Sequence, residues 1–328
     1  MNEMGELIRS EIRDHGAIPF SRFMELALYH PQLGYYRSGQ NVFGREGDFY
    51  TASQLQPVFG RLLACAFKQL GAPAQPDGRV IVADWGAGQT DLKECLHGFD
   101  YRFVDVGRED APERFRGIVL ANELFDALPV DLARQQDGIW RERRVATQGD
   151  GFVWADGGAL DGEWLEYARR AAREARWDDD LAVLELPVSL TSCIQRIDQR
   201  LECGWIVAFD YGYTARELAR FPQGTLMGYR KHCALEDVLA EPSERDITAH
   251  VPFDELRRLA RSAGWKESRF ESMGQYLLRA GEDDQFAATL AAASEVESTQ
   301  LRLQLKSLLF DIGEMFRVIV WEKVRENA

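Results

Sequence analysis

One stretch of the sequence decides the fold: Val80-Ile81-Val82-Ala83-Asp84-Trp85-Gly86-Ala87-Gly88-Gln89-Thr90-Asp91. An apolar run that ends in glycines predicts a buried strand, followed by a turn at which the backbone approaches a ligand closely. In open α/β sheets, such turns bind nucleotides at the carboxyl ends of parallel strands. A dinucleotide fingerprint would have a third glycine at the position of Asp91. Because an aspartate suits a pyrophosphate poorly, the turn favours a nucleoside ligand without phosphates. An ordinary strand-to-loop turn is the alternative.

Two more apolar runs end in polar residues. The run 101–104 ends at Asp105, 19 residues after Gly86, and an acid near this spacing can bind ribose hydroxyls. The run 117–121 leads into Asn122-Glu123-Leu124-Phe125-Asp126. Glu123 and Asp126 share a face if this segment is helical, and two carboxylates at a strand end can hold a cation or accept its proton. A helix start capped by Asn122 is the alternative.

The N-terminal part combines helical patterns with an unusual loop. Residues 4–14 and 21–29 have apolar side chains at helical spacing, and a stronger pattern extends from Leu55 to Leu70. The intervening loop contains Gly47-Asp48-Phe49-Tyr50-Thr51. Its glycines, aromatic residues and single charges are typical of a segment that covers a ligand, but a packed N-terminal cap is an equal alternative.

The second half first interrupts the strand–helix alternation and then returns to it. Short alternating strands between 130 and 160, followed by helical patterns, predict an inserted part of the chain. The sheet resumes at 205–209, before Asp210-Tyr211-Gly212. His232 and His250 lie in the loops beyond this strand. Three roles are possible for them: structural hydrogen bonding, acid–base chemistry and metal binding. Their spacing fits no standard zinc pattern, so metal binding is the least favoured of the three.

Composition restricts the possible partners. The 39 basic and 53 acidic residues give a net charge of −14, which disfavours nucleic acid and favours a basic polypeptide. No apolar stretch approaches the roughly 18 residues of a membrane span, and the N-terminus has no signal-peptide pattern. We therefore predict a cytoplasmic protein without membrane insertion. The five dispersed cysteines predict reduced thiols, and the sequence does not define the oligomeric state.

Several motifs occur together in one order along nearly the whole chain. They are Phe23-Met24 to Tyr29-His30-Pro31, Gly34-Tyr35-Tyr36, Gly47-Asp48-Phe49-Tyr50-Thr51, Phe59-Gly60, Gly86-Ala87-Gly88, Asn122-Glu123-Leu124-Phe125-Asp126-Ala127-Leu128-Pro129, Phe209-Asp210-Tyr211-Gly212, Gly224-Thr225-Leu226 with Tyr229 and His232, and Asp246-Ile247-Thr248-Ala249-His250-Val251. The order resembles the MidA-like family of S-adenosylmethionine-dependent methyltransferases. Mitochondrial members of that family are complex I assembly factors that methylate an arginine.

The resemblance implies an α/β fold of the class I methyltransferase (Rossmann-like) type, with a mostly parallel sheet, an N-terminal helical cap and an inserted α+β subdomain. The implied limits are 1–75 for the cap and covering loop, 76–130 and 203–328 for the core, and 131–202 for the insert that selects the substrate. Implied site residues fall into three groups: Gly47, Asp48, Phe49, Thr51, Asp84, Gly86, Gly88 and Asp105 for the S-adenosylmethionine cofactor; Asn122, Glu123 and Asp126 for catalysis; and Asp210, Tyr211, His232 and His250 for the substrate. No metal is implied.

The implied acceptor is a protein side chain such as arginine, in a basic segment or a respiratory-complex subunit. One departure from the family pattern allows an alternative. Only 11 residues separate Asp105 from Gly117, where the family has a helix and another strand, so this edge of the sheet is predicted to be missing. A degenerate relative that serves as a binding or assembly factor, with weak or no cofactor binding, would fit that loss. A nicotinamide enzyme is a third alternative, disfavoured by Asp91.

Overall fold

The computed structural model describes residues 2–37, 56–88, 92–105, 107–177, 182–230, 233–235 and 237–325. The chain forms two compact units. The first unit comprises Met1–Phe49, Asp126–Thr191 and Gly212–Leu256, and the second comprises Tyr50–Phe125, Ser192–Tyr211 and Arg257–Ala328. No helix in the described part of the chain is both long and apolar enough to cross a bilayer.

The helices of the described residues follow the apolar periodicity of the sequence. In chain order they are α1 Glu3–His15, α2 Phe20–Tyr29, α3 Val58–Leu70, α4 Leu92–Cys95, α5 Gly162–Ala175, α6 Leu190–Arg200, α7 Phe253–Ser262, α8 Met273–Glu282, α9 Glu295–Lys306 and α10 Ile312–Met315. A π-helical segment, Ser307–Asp311, joins the last two. Side-chain caps define several starts, and the Ser272 and Gln275 side chains form a reciprocal capping box at α8.

The strands are shorter and more numerous than the helices. In chain order they are β1 Ile18–Pro19, β2 Ile81–Trp85, β3 Asp100–Asp105, β4 Arg108–Glu109, β5 Phe115–Asn122, β6 Asp131–Gln136, β7 Ile139–Gln148, β8 Gly151–Ala159, β9 Val183–Leu186, β10 Leu201–Asp210, β11 Gly212–Tyr213, β12 Met227–Arg230, β13 Cys233–Leu235, β14 Asp246–Thr248, β15 Val251–Pro252, β16 Lys266–Ser272 and β17 Arg317–Lys323.

The second unit contains a seven-stranded sheet in the order β16-β17-β10-β5-β2-β3-β4. Strands β3, β2, β5 and β10 are parallel, whereas β17 runs antiparallel to both β10 and β16. The chain order reverses between β2 and β5, because β3 lies on one side of β2 and β10 lies beyond β5. Ligands of open α/β sheets bind outside the carboxyl ends of the strands at such a switch point. The register partners Trp85 and Ala121 bring the ends of β2 and β5 side by side there.

One face of this sheet packs against α3, α8 and α9. The core includes the T-shaped ring pair Phe59–Phe209, with centroids 5.6 Å apart, and the pair Phe209–Tyr276 at 5.5 Å. The central strands β2, β5, β10 and β17 are mostly buried and apolar, whereas the outer strands β3, β4 and β16 carry charged side chains. The core therefore fixes the positions of the strand ends that carry the predicted site residues.

The first unit contains a five-stranded sheet in the order β1-β7-β6-β9, with β8 paired to β7. All of its strand pairs are antiparallel. One core joins this sheet to α1 and α2, and another joins it to α5. Two smaller sheets, β11-β15 and β13-β12-β14, carry the motifs from Gly212 to Val251.

The structure confirms the α/β class and most of the predicted helices, but its sheets are mixed rather than mostly parallel. At the edge predicted to be missing, β3 pairs antiparallel with the two-residue strand β4. The predicted division into cap, core and insert does not follow the limits of the two compact units, and its functional meaning remains a prediction. The predicted covering loop with Gly47, Asp48, Phe49 and Thr51 lies outside the described residues, as does His232.

Candidate active site

The glycine turn at the end of β2 requires a residue without a side chain. Gly86 has φ of +73°, and a Cβ atom at this position would lie 3.1 Å from Cδ1 of Leu124. The Gly86 N–H donates to the carbonyl of Val104 at 2.8 Å, which ties the turn to β3. Just before the turn, the buried carboxylate of Asp84 accepts a hydrogen bond from the Tyr101 hydroxyl at 2.6 Å. The turn is thus a fixed, open backbone cradle.

Asp105 lies beside this cradle at the end of β3. Its carboxylate is 3.5 Å from Nη2 of Arg108, and the same nitrogen donates to the carbonyl of Gly88. The guanidinium of Arg108 also lies over the Phe103 ring, 5.1 Å from its centroid. A single arginine therefore joins the acid of β3 to the glycine turn of β2.

Asn122 and Glu123 end the neighbouring strand β5 in an uncommon conformation. Glu123 has φ of +53°, a left-handed backbone that costs a residue with a Cβ about 1–2 kcal/mol. Its N–H donates to the Phe209 carbonyl at 2.8 Å, and the Asn122 amide donates to its carboxylate at 3.2 Å. The buried Oδ1 of Asn122 accepts no hydrogen bond from the described residues. Backbone strain of this kind concentrates at functional sites, and it stands here at the switch point of the sheet.

Asp210 fixes the segment that follows. Its buried carboxylate accepts hydrogen bonds from the backbone N–H groups of Phe125 and Tyr211, both at 2.9 Å. The Tyr211 ring packs edge-on against Phe316, with centroids 5.6 Å apart. These contacts give Asp210 a positioning function for the turn after Glu123, and its predicted contact with substrate remains a prediction.

In the first unit, two buried carboxylates and several tyrosines converge. Asp126 is 4% exposed and Asp246 is 5% exposed. The Tyr36 hydroxyl donates to the Asp246 carboxylate at 2.7 Å. Burial raises the pKa of Tyr36 well above its ordinary value, and Asp246, Tyr29 and Asp126 raise it further. The pKa of Tyr229 is raised by burial and by the same two aspartates. The tyrosine–aspartate cluster, Tyr29, Tyr36, Asp126, Tyr229 and Asp246, is therefore a region of negative potential.

His250 is held by a second buried carboxylate network in the same unit. Glu185, 2% exposed, accepts hydrogen bonds at Oε1 from the N–H groups of Thr225 at 2.5 Å and Leu226 at 3.0 Å. The Thr225 hydroxyl in turn accepts a hydrogen bond from the backbone N–H of His250 at 2.9 Å. Burial lowers the pKa of the His250 ring and raises that of Glu185. The His250 imidazole packs edge-on against Phe221, and its burial favours the neutral form.

Sequence reasoning did not select five of these residues: Tyr29, Tyr36, Glu185, Tyr229 and Asp246. Four of them stand in the quoted motifs, but nothing in the sequence distinguishes them from their neighbours. Glu185 had one available signal, since it is an acid in the middle of the apolar run 181–187. A charge at such a position is buried and needs a specific partner.

The fold and the site together define a class of protein. A seven-stranded sheet with a glycine turn at its switch point and acids at the next strand ends is the arrangement of a class I methyltransferase. The family profile described as S-adenosyl-L-methionine-dependent methyltransferase matches residues 97–270, and the chain belongs to that family.

A solved structure extends this relationship over the whole chain. A Burkholderia thailandensis protein, described as a COG1565 superfamily member and crystallised with S-adenosylhomocysteine, is 31% identical. The alignment covers 99% of this chain and 93% of that one, with a TM-score of 0.85. A second Burkholderia thailandensis crystal structure, of a native protein, is 29% identical, covers 99% and 92% of the two chains, and has a TM-score of 0.79.

Curated relatives are more distant in sequence. The Drosophila melanogaster "Protein arginine methyltransferase NDUFAF7 homolog, mitochondrial" is 25% identical over 80% of this chain and 70% of its own. The mouse "Protein arginine methyltransferase NDUFAF7, mitochondrial" is 25% identical over 93% and 81% of the two chains.

These comparisons confirm the predicted family, and the protein is an S-adenosylmethionine-dependent methyltransferase. The nicotinamide enzyme and the factor without cofactor binding are set aside. The prediction of a cytoplasmic protein is wrong, because the curated relatives are named as mitochondrial proteins.

Proposed function

We propose that this methyltransferase acts on a protein side chain and that the acceptor is the guanidinium of an arginine. The observation that carries the proposal is the tyrosine–aspartate cluster. Burial is the main cause of the raised pKa values of Tyr36 and Tyr229, and the two carboxylates raise them further, as negative charges near both hydroxyls do. A guanidinium is always cationic in water and presents a planar fork of donors to carboxylates and phenols. The names of the curated relatives support the same acceptor.

In this proposal, the second unit holds the cofactor. The Gly86–Gly88 turn lets the cofactor approach the backbone closely, and Asp84 supports the turn. The Asp105 carboxylate accepts hydrogen bonds from the ribose hydroxyls. Three observations support the fit: a Cβ at Gly86 would crowd Leu124, Asp105 lies beside the turn, and Oδ1 of Asn122 is buried without a donor from the described residues. We assign the predicted covering loop, with Gly47, Asp48, Phe49 and Thr51, to the same cofactor.

The reaction requires alignment, charge and loss of one proton. The cofactor supplies a methyl group on a sulfonium. Asn122 and Glu123, on the strained end of β5, and Asp126 orient the guanidinium by accepting its hydrogen bonds, and the two carboxylates offset its positive charge. A carboxylate accepts the guanidinium proton as the acceptor nitrogen is methylated, and we assign this step to Glu123 or Asp126. Asp210 holds the turn that carries them, and His250 contributes, with Tyr211 and His232, to the substrate side.

We also propose the finer division of the fold. Residues 1–75 act as cap and covering loop, 76–130 and 203–328 as the catalytic core, and 131–202 as the insert that selects the substrate. The antiparallel sheet formed by β6–β9 supports a separate role for the insert, since it differs in kind from the parallel strands of the second unit.

The test uses two peptides and three variants. One peptide is basic and contains arginines, and the other has lysines at the same positions. The purified protein should transfer label from methyl-labelled S-adenosylmethionine to the arginine peptide only. Glu123→Gln and Asp126→Asn should lower the transfer rate by about a hundredfold or more, the range of a lost acid–base group. The affinity of both variants for S-adenosylhomocysteine should stay within about twofold of the parent protein, well below the tenfold change that 1.4 kcal/mol would produce.

Glu244→Gln is the control, because it removes one negative charge from the unit that contains Asp126, at a partly exposed ion pair with Arg230. Its transfer rate should match the parent protein. Equal labelling of the lysine peptide would contradict the proposed acceptor, and unchanged rates in Glu123→Gln and Asp126→Asn would remove these carboxylates from the mechanism.

A further inference from the structure

Three arginines gather on one face of the antiparallel sheet in the first unit. In the β6–β7 pair, Arg134 is the register partner of Arg141, and Leu132 is the partner of Arg143. Register partners lie on the same face, and side chains two residues apart along a strand also share a face. Arg134, Arg141 and Arg143 therefore form one group, which we call the arginine patch.

This arrangement has an electrostatic cost. Like charges directly opposite each other on antiparallel strands destabilise the pair. Burial lowers the pKa of Arg143, the nearby charge of Arg134 lowers it further, and the charge of Asp156 opposes this shift only in part. Among the described residues, no carboxylate lies within 4.0 Å of any of the three guanidinium groups, although Asp156 is the register partner of Arg143. The patch thus keeps three positive charges together in a chain of net charge −14.

The patch is also held in place. The Arg143 guanidinium stacks on the Trp154 ring, 4.7 Å from its centroid, and Trp154 packs against Phe20 at 5.1 Å. A stacked guanidinium keeps the donors at its edge available for a planar acceptor. On the same face, Leu132 and Val145 belong to the core with α1 and α2, so the patch borders a rigid part of the unit.

We propose that the arginine patch docks a carboxylate-rich segment of a partner protein. Arginine pairs with carboxylates through two parallel hydrogen bonds, and an anion would relieve the repulsion between Arg134 and Arg141. The net charge of −14 disfavours a long nucleic acid, whose phosphates would extend beyond the patch. A short acidic segment is affected mainly by the local charges, since the screening length is about 8 Å at physiological salt. The proposal does not depend on which side chain is methylated.

The experiment measures binding of a fluorescent octaglutamate peptide to the full chain at physiological salt by anisotropy. The test variant is Arg134→Gln/Arg141→Gln, which leaves the stacked Arg143 in place. The matched control is Arg169→Gln/Arg302→Gln, which removes the same charge from two exposed helical positions. We expect saturable binding to the parent protein, a loss of about tenfold or more in the test variant, and a change within about twofold in the control.

Thermal unfolding provides a second readout. Since the test variant removes a repulsion, its melting temperature should equal or exceed that of the parent. A marked fall would show that the arginines serve the fold and would overturn the proposal. So would the absence of saturable binding, equal losses in both variants, or displacement of the peptide by inorganic phosphate or a short oligonucleotide at lower concentration than by free octaglutamate.

Discussion

Gly224→Ala tests whether the buried carboxylate of Glu185 fixes the loop that holds His250. Gly224 has φ of +81°, and a Cβ there would lie 2.6 Å from Oε1 of Glu185. That oxygen cannot move aside freely, because it accepts hydrogen bonds from the backbone N–H groups of both Thr225 and Leu226. The substitution should therefore break at least one of these hydrogen bonds.

The expected cost has two parts. A left-handed backbone costs an alanine about 1–2 kcal/mol, and a lost hydrogen bond to a charged group costs about 1.5–3 kcal/mol. We expect a loss of about 2.5–5 kcal/mol in the free energy of unfolding for Gly224→Ala. Gly138→Ala is the matched control in the same unit, because Gly138 has φ of +72° and no atom within 4 Å of its Cβ position. It should cost only about 1–2 kcal/mol.

Thermal unfolding separates the two variants. For a unit of this size, 1 kcal/mol corresponds to about 2–4 °C, so the melting temperature should fall by roughly 10 °C for Gly224→Ala and by about 3–5 °C for Gly138→Ala. Glu185→Asp withdraws the carboxylate by one methylene, and the double variant Gly224→Ala/Glu185→Asp should cost less than the sum of its parts. Equal shifts for the two glycine variants, or strict additivity in the double variant, would refute the contact as the cause.

Two further variants test the site. Burial lowers the folded-state pKa of His250 below that of the unfolded chain, so the unfolded chain binds more protons and stability falls as the pH drops below about 6.5. The free energy of unfolding of His250→Gln, measured between pH 7.5 and 5.5, should decline less than that of the parent; parallel declines would exclude this histidine. Asp105→Ala should weaken S-adenosylhomocysteine binding by about tenfold or more in calorimetry, the loss expected for hydrogen bonds to a charged group, and should affect adenine alone little. Equal losses for both ligands would place Asp105 away from the ribose.

The sequence predicts those parts of the site that depend on local pattern. A buried strand that ends in glycines, and acids that follow the next two apolar runs, point to Gly86, Asp105 and Glu123 as candidate site residues, and the structure places each of them at a strand end of the second unit. The helical periodicity of 4–14, 21–29 and 55–70 matches α1, α2 and α3 to within a few residues. Each of these predictions requires only neighbours in the chain.

The remaining site residues depend on contacts that no local pattern encodes. Tyr36 and Asp246 are 210 positions apart, and Glu185 meets the Thr225 backbone across 40. The left-handed backbone of Glu123 also leaves no trace in composition, because glutamate rarely adopts it. A tertiary environment selects these features, so a single sequence cannot distinguish them from ordinary loop residues.

The shortened sheet edge is the feature on which the sequence was most informative and also open to misinterpretation. Eleven residues between Asp105 and Gly117 are too few for a crossover helix and a strand, which together need about ten to twelve residues or more for the connection alone. An unprotected edge would invite pairing with other chains, yet β4 covers the end of β3 and carries the charges of Arg108 and Glu109. Arg200 holds this edge through Glu109 at 2.9 Å and the Ala111 carbonyl at 3.1 Å. Arg108, in the same hairpin, reaches both Asp105 and the Gly88 carbonyl. The shortened edge therefore keeps Asp105 beside the glycine turn, as the proposed ribose contact requires.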